Sequence, residues 1–141
     1  MNPETKALTM WIKTMIKIPE TIIHGQVCDY IKLQYPNVIF TSESSGLRLT
    51  IGQAKKMKNL RSSAGLPDLW IAEPRGIYKA LFIELKSEGI LKKNLTYKTE
   101  HIADQAKVLD RLVRKGYFAV FGIGFDHAKL YIDWYMKLEL K

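Results

Sequence analysis

The chain has a single cysteine, Cys28, among 141 residues, which excludes an intrachain disulfide and a cysteine-based zinc site. One isolated thiol fits a reducing compartment, where Cys28 serves as a small apolar residue within a helix. No apolar run is long enough for a membrane span. The N-terminal apolar stretch is broken by Lys6, Lys13 and Lys17, which also argues against a signal peptide. Repeats and low-complexity tracts are missing, and with 47% apolar residues the chain has the size of one compact domain. A soluble, intracellular protein is expected. Acidic residues are also scarce: 14 Asp and Glu face 22 Lys and Arg, a net charge of +8 that points to an anionic partner. Nucleic acid leads. An acidic membrane surface is the second reading, because residues 4–17 set Leu8, Trp11, Ile12, Met15 and Ile16 at helical spacing with lysines between them. The same stripe is ordinary for an amphipathic helix, residues 1–18, that packs on the domain or on a second copy.

From Pro19 onward, turn signals and periodicity predict an α/β domain over residues 19–141. A helix spans about 20–35, carrying Ile23, Val27, Tyr30 and Ile31 at intervals of three and four and ending at Pro36. Residues 38–41 and 47–51 suggest a hairpin across Ser44-Ser45-Gly46, and 53–61 a charged helix. Strands at 68–72 and 78–87, joined by Glu73-Pro74-Arg75-Gly76, form a hairpin at the sheet centre. A helix over 100–115 stops at Gly116, 117–123 is an apolar strand, and 125–137 is a closing helix with Ala128, Leu130, Tyr131 and Trp134 available for packing. The helix between the last two strands is a crossover, so the sheet is mixed.

The stretch GLPDLWIAEPRGIYKALFIELKSEG, residues 65–89, places Asp68, Glu84 and Lys86 inside apolar runs, where an unpaired charge costs several kcal/mol. Alternation puts Ala80, Phe82, Glu84 and Lys86 on one face and Leu81, Ile83 and Leu85 on the other. Asp68 opens the neighbouring strand and lies beside Glu84 if the hairpin register permits. Two carboxylates converging with an ammonium suit a hard divalent cation, with positions left for water and a phosphate oxygen. Taken alone, Glu-x-Lys in a strand is equally a surface ion pair, and Asp68 a turn residue.

Pro67-Asp68 followed by Glu84-Leu85-Lys86, with fifteen residues between the acids, resembles the PD-(D/E)xK nuclease superfamily. YIKLQYPNVIF (30–40), SGLR (45–48), AGLPDL (64–69), the EPRG turn, IELKSE (83–88), Gln105 and GYFAVFGIGFDHAKLYIDWY narrow the likeness to the VRR-NUC family, in its stand-alone form. The resemblance implies a restriction-endonuclease-like fold, a mixed central β-sheet flanked by helices in a single domain. It places a further acid of the site on Glu20, acting through a metal-bound water, and an orienting glutamine on Gln105. The chain departs from the family twice. His24 stands where a glutamine is usual, and Ile102-Ala103 replaces the Ser/Thr-Pro before Gln105, so that helix begins earlier, with Thr99 as its cap. His24 and His101, one turn from Glu20 and Gln105, are auxiliary candidates.

The expected activity is metal-dependent endonucleolytic hydrolysis of DNA. Asp68, Glu84 and the Leu85 carbonyl would hold Mg²⁺ or Mn²⁺, and Lys86 would position and help deprotonate the water. Arg48, Lys55, Lys56, Lys58, Arg61, Lys92, Lys93 and Lys98 flank this site in sequence as a phosphate track. No RNP aromatic motif, zinc finger or recognition helix is present, so backbone or shape recognition is expected. The resemblance further implies homodimers acting on branched DNA such as four-way (Holliday) junctions, no organic cofactor, 5′-phosphate and 3′-hydroxyl ends, and a bacterial or phage-infected cytosol. Leu8, Trp11, Ile12 and Met15, or Tyr131 and Trp134, are candidate dimer surfaces. An inactive DNA-binding module of the same fold, or a nuclease with restriction or flap specificity, stays open.

Overall fold

The computed structural model describes residues 2–8, 17–43, 49–62 and 65–140. Residues 3–8 are helical (α1), and then the order is α2 (Glu20–Gln34), β1 (Phe40–Ser42), α3 (Ile51–Asn59), β2 (Leu69–Ile71), β3 (Leu81–Lys86), α4 (Glu100–Arg114), β4 (Phe118–Ile123) and α5 (Gly124–Met136). The strands form one sheet in the order β1-β2-β3-β4. β1, β2 and β3 pair antiparallel, whereas β3 and β4 pair parallel across the α4 crossover. This is the mixed α/β sheet that the sequence pattern predicts, with the β2–β3 hairpin at its centre. No helix among the described residues is long and apolar enough to cross a membrane.

Alternation along β3 gives the sheet two differently covered faces. Leu81, Ile83 and Leu85 turn with Leu69 and Ile71 toward Ile23, Val27 and Ile31 of α2 and Ala128, Ile132 and Tyr135 of α5. The other face is thinner: Ala80, Phe82 and Ala119 meet Leu109 and Leu112 of α4. Trp70 stacks on Phe82 there, ring centroids 5.9 Å apart. α2 is tied to α5 by polar groups at the edge of the first layer, where the Tyr30 and Tyr35 hydroxyls and Lys129 all donate to the Asp133 carboxylate.

β4 and α5 approach so closely that only glycine fits at position 122. A Cβ there would lie 2.8 Å from Ile83 Cγ2 and 3.2 Å from Ala128 Cβ. Both neighbours are packed core groups with no room to retreat. Gly122→Ala is expected to cost about 1–3 kcal/mol, read as a lower urea midpoint at unchanged slope.

Two assignments change. Leu49 and Thr50 are not a strand; Thr50 caps α3, its hydroxyl accepting from Gln53 N–H (3.2 Å) while Gln53 Oε1 accepts from Thr50 N–H (3.0 Å). The capping box ties up both backbone donors, so residues 49–51 cannot pair as the second arm of a hairpin. Residues 44–48, including Arg48, and 9–16, with Trp11, Ile12 and Met15, lie outside the described residues. α5 is also rotated from expectation: Ala128, Ile132 and Tyr135 are buried, whereas Leu130 and Trp134 are exposed.

Candidate active site

Backbone register brings the two acids together. Leu69 pairs with Ile83, so Asp68, one residue earlier, falls opposite Glu84 just beyond the end of the β2–β3 ladder. Leu85 N–H also lies beyond that ladder, and Asp68 Oδ2 accepts from it at 2.9 Å. A donor that would otherwise be orphaned therefore fixes the Asp68 carboxylate. In return, Asp68 N–H donates to Glu84 Oε2 (3.3 Å), and the Asp68 carbonyl accepts from Glu43 N–H (2.7 Å).

Each remaining neighbour comes from a different element. His24, buried on α2, places Nε2 3.5 Å from Asp68 Oδ2 and Nδ1 3.1 Å from Ser42 Oγ of β1. Lys86 Nζ, at the end of β3, is 3.8 Å from Glu84 Oε1. From α4, Gln105 Nε2 donates to the same carboxylate oxygen. Thr99 caps that helix, its hydroxyl accepting from Ile102 N–H at 3.1 Å, and this sets His101 and Gln105 one turn apart on the wall of a cleft shared with Asp68 and Glu84.

Glu84 is only 6% exposed, yet it is a carboxylate beside a second carboxylate. Burial, and then the charge of Asp68, push its pKa from the ordinary 4.5 to about 8, against the opposing pull of Lys86. Lys86, the nearby cation, does not offset burial and the second carboxylate. Gln105 Oε1, buried beside it, has no hydrogen-bond partner among the described residues. Crowded carboxylate oxygens and an unsatisfied amide oxygen are hard donors, and they fit an Mg²⁺- or Mn²⁺-sized cation better than they fit one another. Among the described residues, no group of three or more His, Cys, Asp and Glu side chains is arranged as a metal cage. Two carboxylates leave coordination positions to water and substrate, as a hydrolytic site requires.

The other predicted residues make no direct hydrogen bond or ion pair with the two acids among the described residues. Glu20, the first residue of α2, makes no side-chain hydrogen bond or ion pair among the described residues; His24, one turn on, is the α2 residue that meets Asp68. Lys55, Lys56 and Lys58 are exposed on α3, and Lys92, Lys93 and Lys98 are exposed before α4. Arg61 is not a free member of a basic track. Its Nη2 is 2.9 Å from Glu43 Oε2, and both side chains line the cleft with Asp68 and Glu84. Glu43 is an addition that the sequence pattern does not signal. It follows β1 in a loop without periodicity, and only its spatial pairing with Asp68 and Arg61 marks it.

The architecture with its paired acids resembles that of PD-(D/E)xK nucleases. More specifically it is VRR-NUC-like: a solved structure described as a "VRR_NUC domain protein" aligns with a TM-score of 0.62 and 26% identity, covering 88% of this chain and 93% of that one. No family model and no curated protein matches the chain.

Proposed function

We propose that the protein is a divalent-metal-dependent DNA endonuclease. The observation that carries this is the placement of Asp68 opposite Glu84, with Lys86 on the same carboxylate and a basic chain around them. A bound Mg²⁺ or Mn²⁺ would supply Lewis-acid stabilisation of the charge that grows on the phosphoryl and leaving oxygens. Asp68, Glu84 and the Leu85 carbonyl are its ligands in this reading, with Glu20 reaching it through water. Lys86 orients the attacking water and takes part in its deprotonation. Gln105 keeps Glu84 aimed into the cleft, and His24 does the same for Asp68. The products carry 5′-phosphate and 3′-hydroxyl ends.

The preferred substrate in this reading is branched DNA, four-way junctions included, cut by a homodimer whose two-fold axis matches two symmetrically placed strands. Leu8, 56% exposed on α1, and Trp134, 44% exposed on α5 and near Leu130 (66%), are described members of the two apolar surfaces available to such an interface. A bacterial or phage-infected cytosol completes it. A second reading, a DNA-binding module without activity, is favoured by one observation: Asp68 and Glu84 are already hydrogen-bonded within the protein. Linear, flapped and four-way DNA incubated with Mg²⁺ or Mn²⁺, beside a gel-filtration run, separate the two. Cleavage of branched DNA that EDTA abolishes is expected; binding to all three without cleavage in either metal establishes the module instead.

A further inference from the structure

Between the last residue of β3 and the cap of α4 the chain builds a small hairpin of its own. Leu91 and Tyr97 form a bridge, and Lys98 N–H donates to the Ile90 carbonyl (2.9 Å). At the tip, Lys92 N–H donates to the Thr96 carbonyl (2.8 Å) and Leu95 N–H to the Lys92 carbonyl (2.9 Å). Asn94 Oδ1 accepts from both Thr96 N–H (3.2 Å) and Thr96 Oγ–H (2.6 Å), which stiffens the turn. This bond pattern belongs to a three-residue loop whose last residue takes the left-handed conformation, a position suited to glycine. Here it is Leu95, with φ +66°, and among the described residues it is the one positive-φ residue other than glycine.

Packing does not account for that choice, because Leu95 is 77% exposed. A branched apolar side chain is therefore held outward at a steric cost, on a turn that glycine or asparagine would form more easily. Lys92, Lys93 and Lys98 surround it, and no acid stands between Gly89 and Thr99. The legs of the hairpin leave from the site. Ile90 is four residues beyond Lys86, and Lys98 three before His101, so chain length keeps both within roughly 15 Å of those side chains.

We propose that this hairpin is a DNA wedge: its lysines hold phosphates near the scissile bond while Leu95 enters the base stack where stacking is already interrupted. The inference rests on the nuclease reading and adds a specificity-determining residue to it. Apolar wedges part base steps at an energetic cost that is smallest where pairing is already lost, so Leu95 favours branch points over intact duplex.

Leu95→Asn tests it, since asparagine tolerates the left-handed conformation and keeps the turn while removing the wedge. A four-way junction and a linear duplex of the same sequence, each carrying 2-aminopurine at the branch position, are titrated with protein in Ca²⁺. Wild type is expected to raise the fluorescence of the junction. L95N should abolish that rise and lower the junction-to-duplex affinity ratio roughly tenfold, whereas Lys93→Ala should weaken both DNAs alike and reduce the salt slope by about one. An unchanged rise and ratio in L95N, with cleavage intact, overturn the wedge and leave the nuclease reading standing. A wild-type dimer that L95N turns into a monomer assigns the tip to a second copy and overturns it too. If wild type cuts no DNA but L95N still loses the rise, the wedge stands and the nuclease reading fails.

Discussion

Asp68→Asn and Glu84→Gln are each expected to lower metal-dependent DNA cleavage on the order of 10³-fold while leaving the fold intact. Both replacements are near-isosteric, and both remove an anionic oxygen where a cation must be held. In Asp68→Asn the amide oxygen accepts from Leu85 N–H less strongly than a carboxylate does, but a neutral acceptor still satisfies that donor. Single-turnover rates at saturating Mn²⁺, with circular dichroism to verify folding, check the result. Cleavage within a few-fold of wild type in either variant would remove the two acids from the chemistry. Retained DNA binding by the inactive variants would show that the lysines, not the acids, carry affinity.

The second large effect appears in stability, with the opposite sign. In the metal-free protein the folded state keeps a proton on Glu84 up to about pH 8, whereas the unfolded chain releases it near 4.5. Between these values the folded state binds more protons, so raising the pH favours unfolding, and stability falls across this window before levelling off. The total loss is on the order of a few kcal/mol, because a buried carboxylate must ionise beside Asp68. Glu84→Gln should flatten the curve and exceed wild type at alkaline pH. Urea unfolding in EDTA at successive pH values measures it; a wild-type stability that rises over the same interval would contradict the burial of this charge. Repeating the series with Mg²⁺ tests the metal directly, since a cation held by both carboxylates should abolish the fall. The residue proposed to hold the metal is thus expected to weaken the metal-free protein.

Much of this arrangement can be read in the sequence because it depends on short periodicities. Alternation alone puts Glu84 and Lys86 on the face opposite Leu81, Ile83 and Leu85, and the β2–β3 register brings Asp68 opposite Glu84. Spacing of three and four likewise selects Ile23, Val27 and Ile31 as the inner face of α2. Where two local signals compete, the pattern misleads. The segment LRLTI alternates like a strand, but Thr50 and Gln53 three residues apart are a helix start, and the apolar Leu49 and Ile51 remain 47% and 91% exposed. α5 offers apolar side chains on nearly every side, so its periodicity cannot decide which face is buried. Glu20 and His24 share one face of α2, so spacing offers both, and the position of the helix along its axis, a tertiary property, decides that His24 meets Asp68. Glu43 extends the β1–β2 pairing by one residue and meets Arg61 just past α3, a contact between distant segments that neither propensity nor spacing encodes.

The β2–β3 hairpin contains both acids and the lysine in one contiguous stretch, and its pairing register sets Asp68 opposite Glu84 across a nine-residue connection. Helices and loops around such a unit need only supply apolar cover and a few orienting groups, which many sequences do equally well. The geometry of the paired acids is therefore set locally, and the scaffold around it is less constrained. A chain of this kind can keep a recognisable shape long after most of its residues have ceased to resemble those of its relatives.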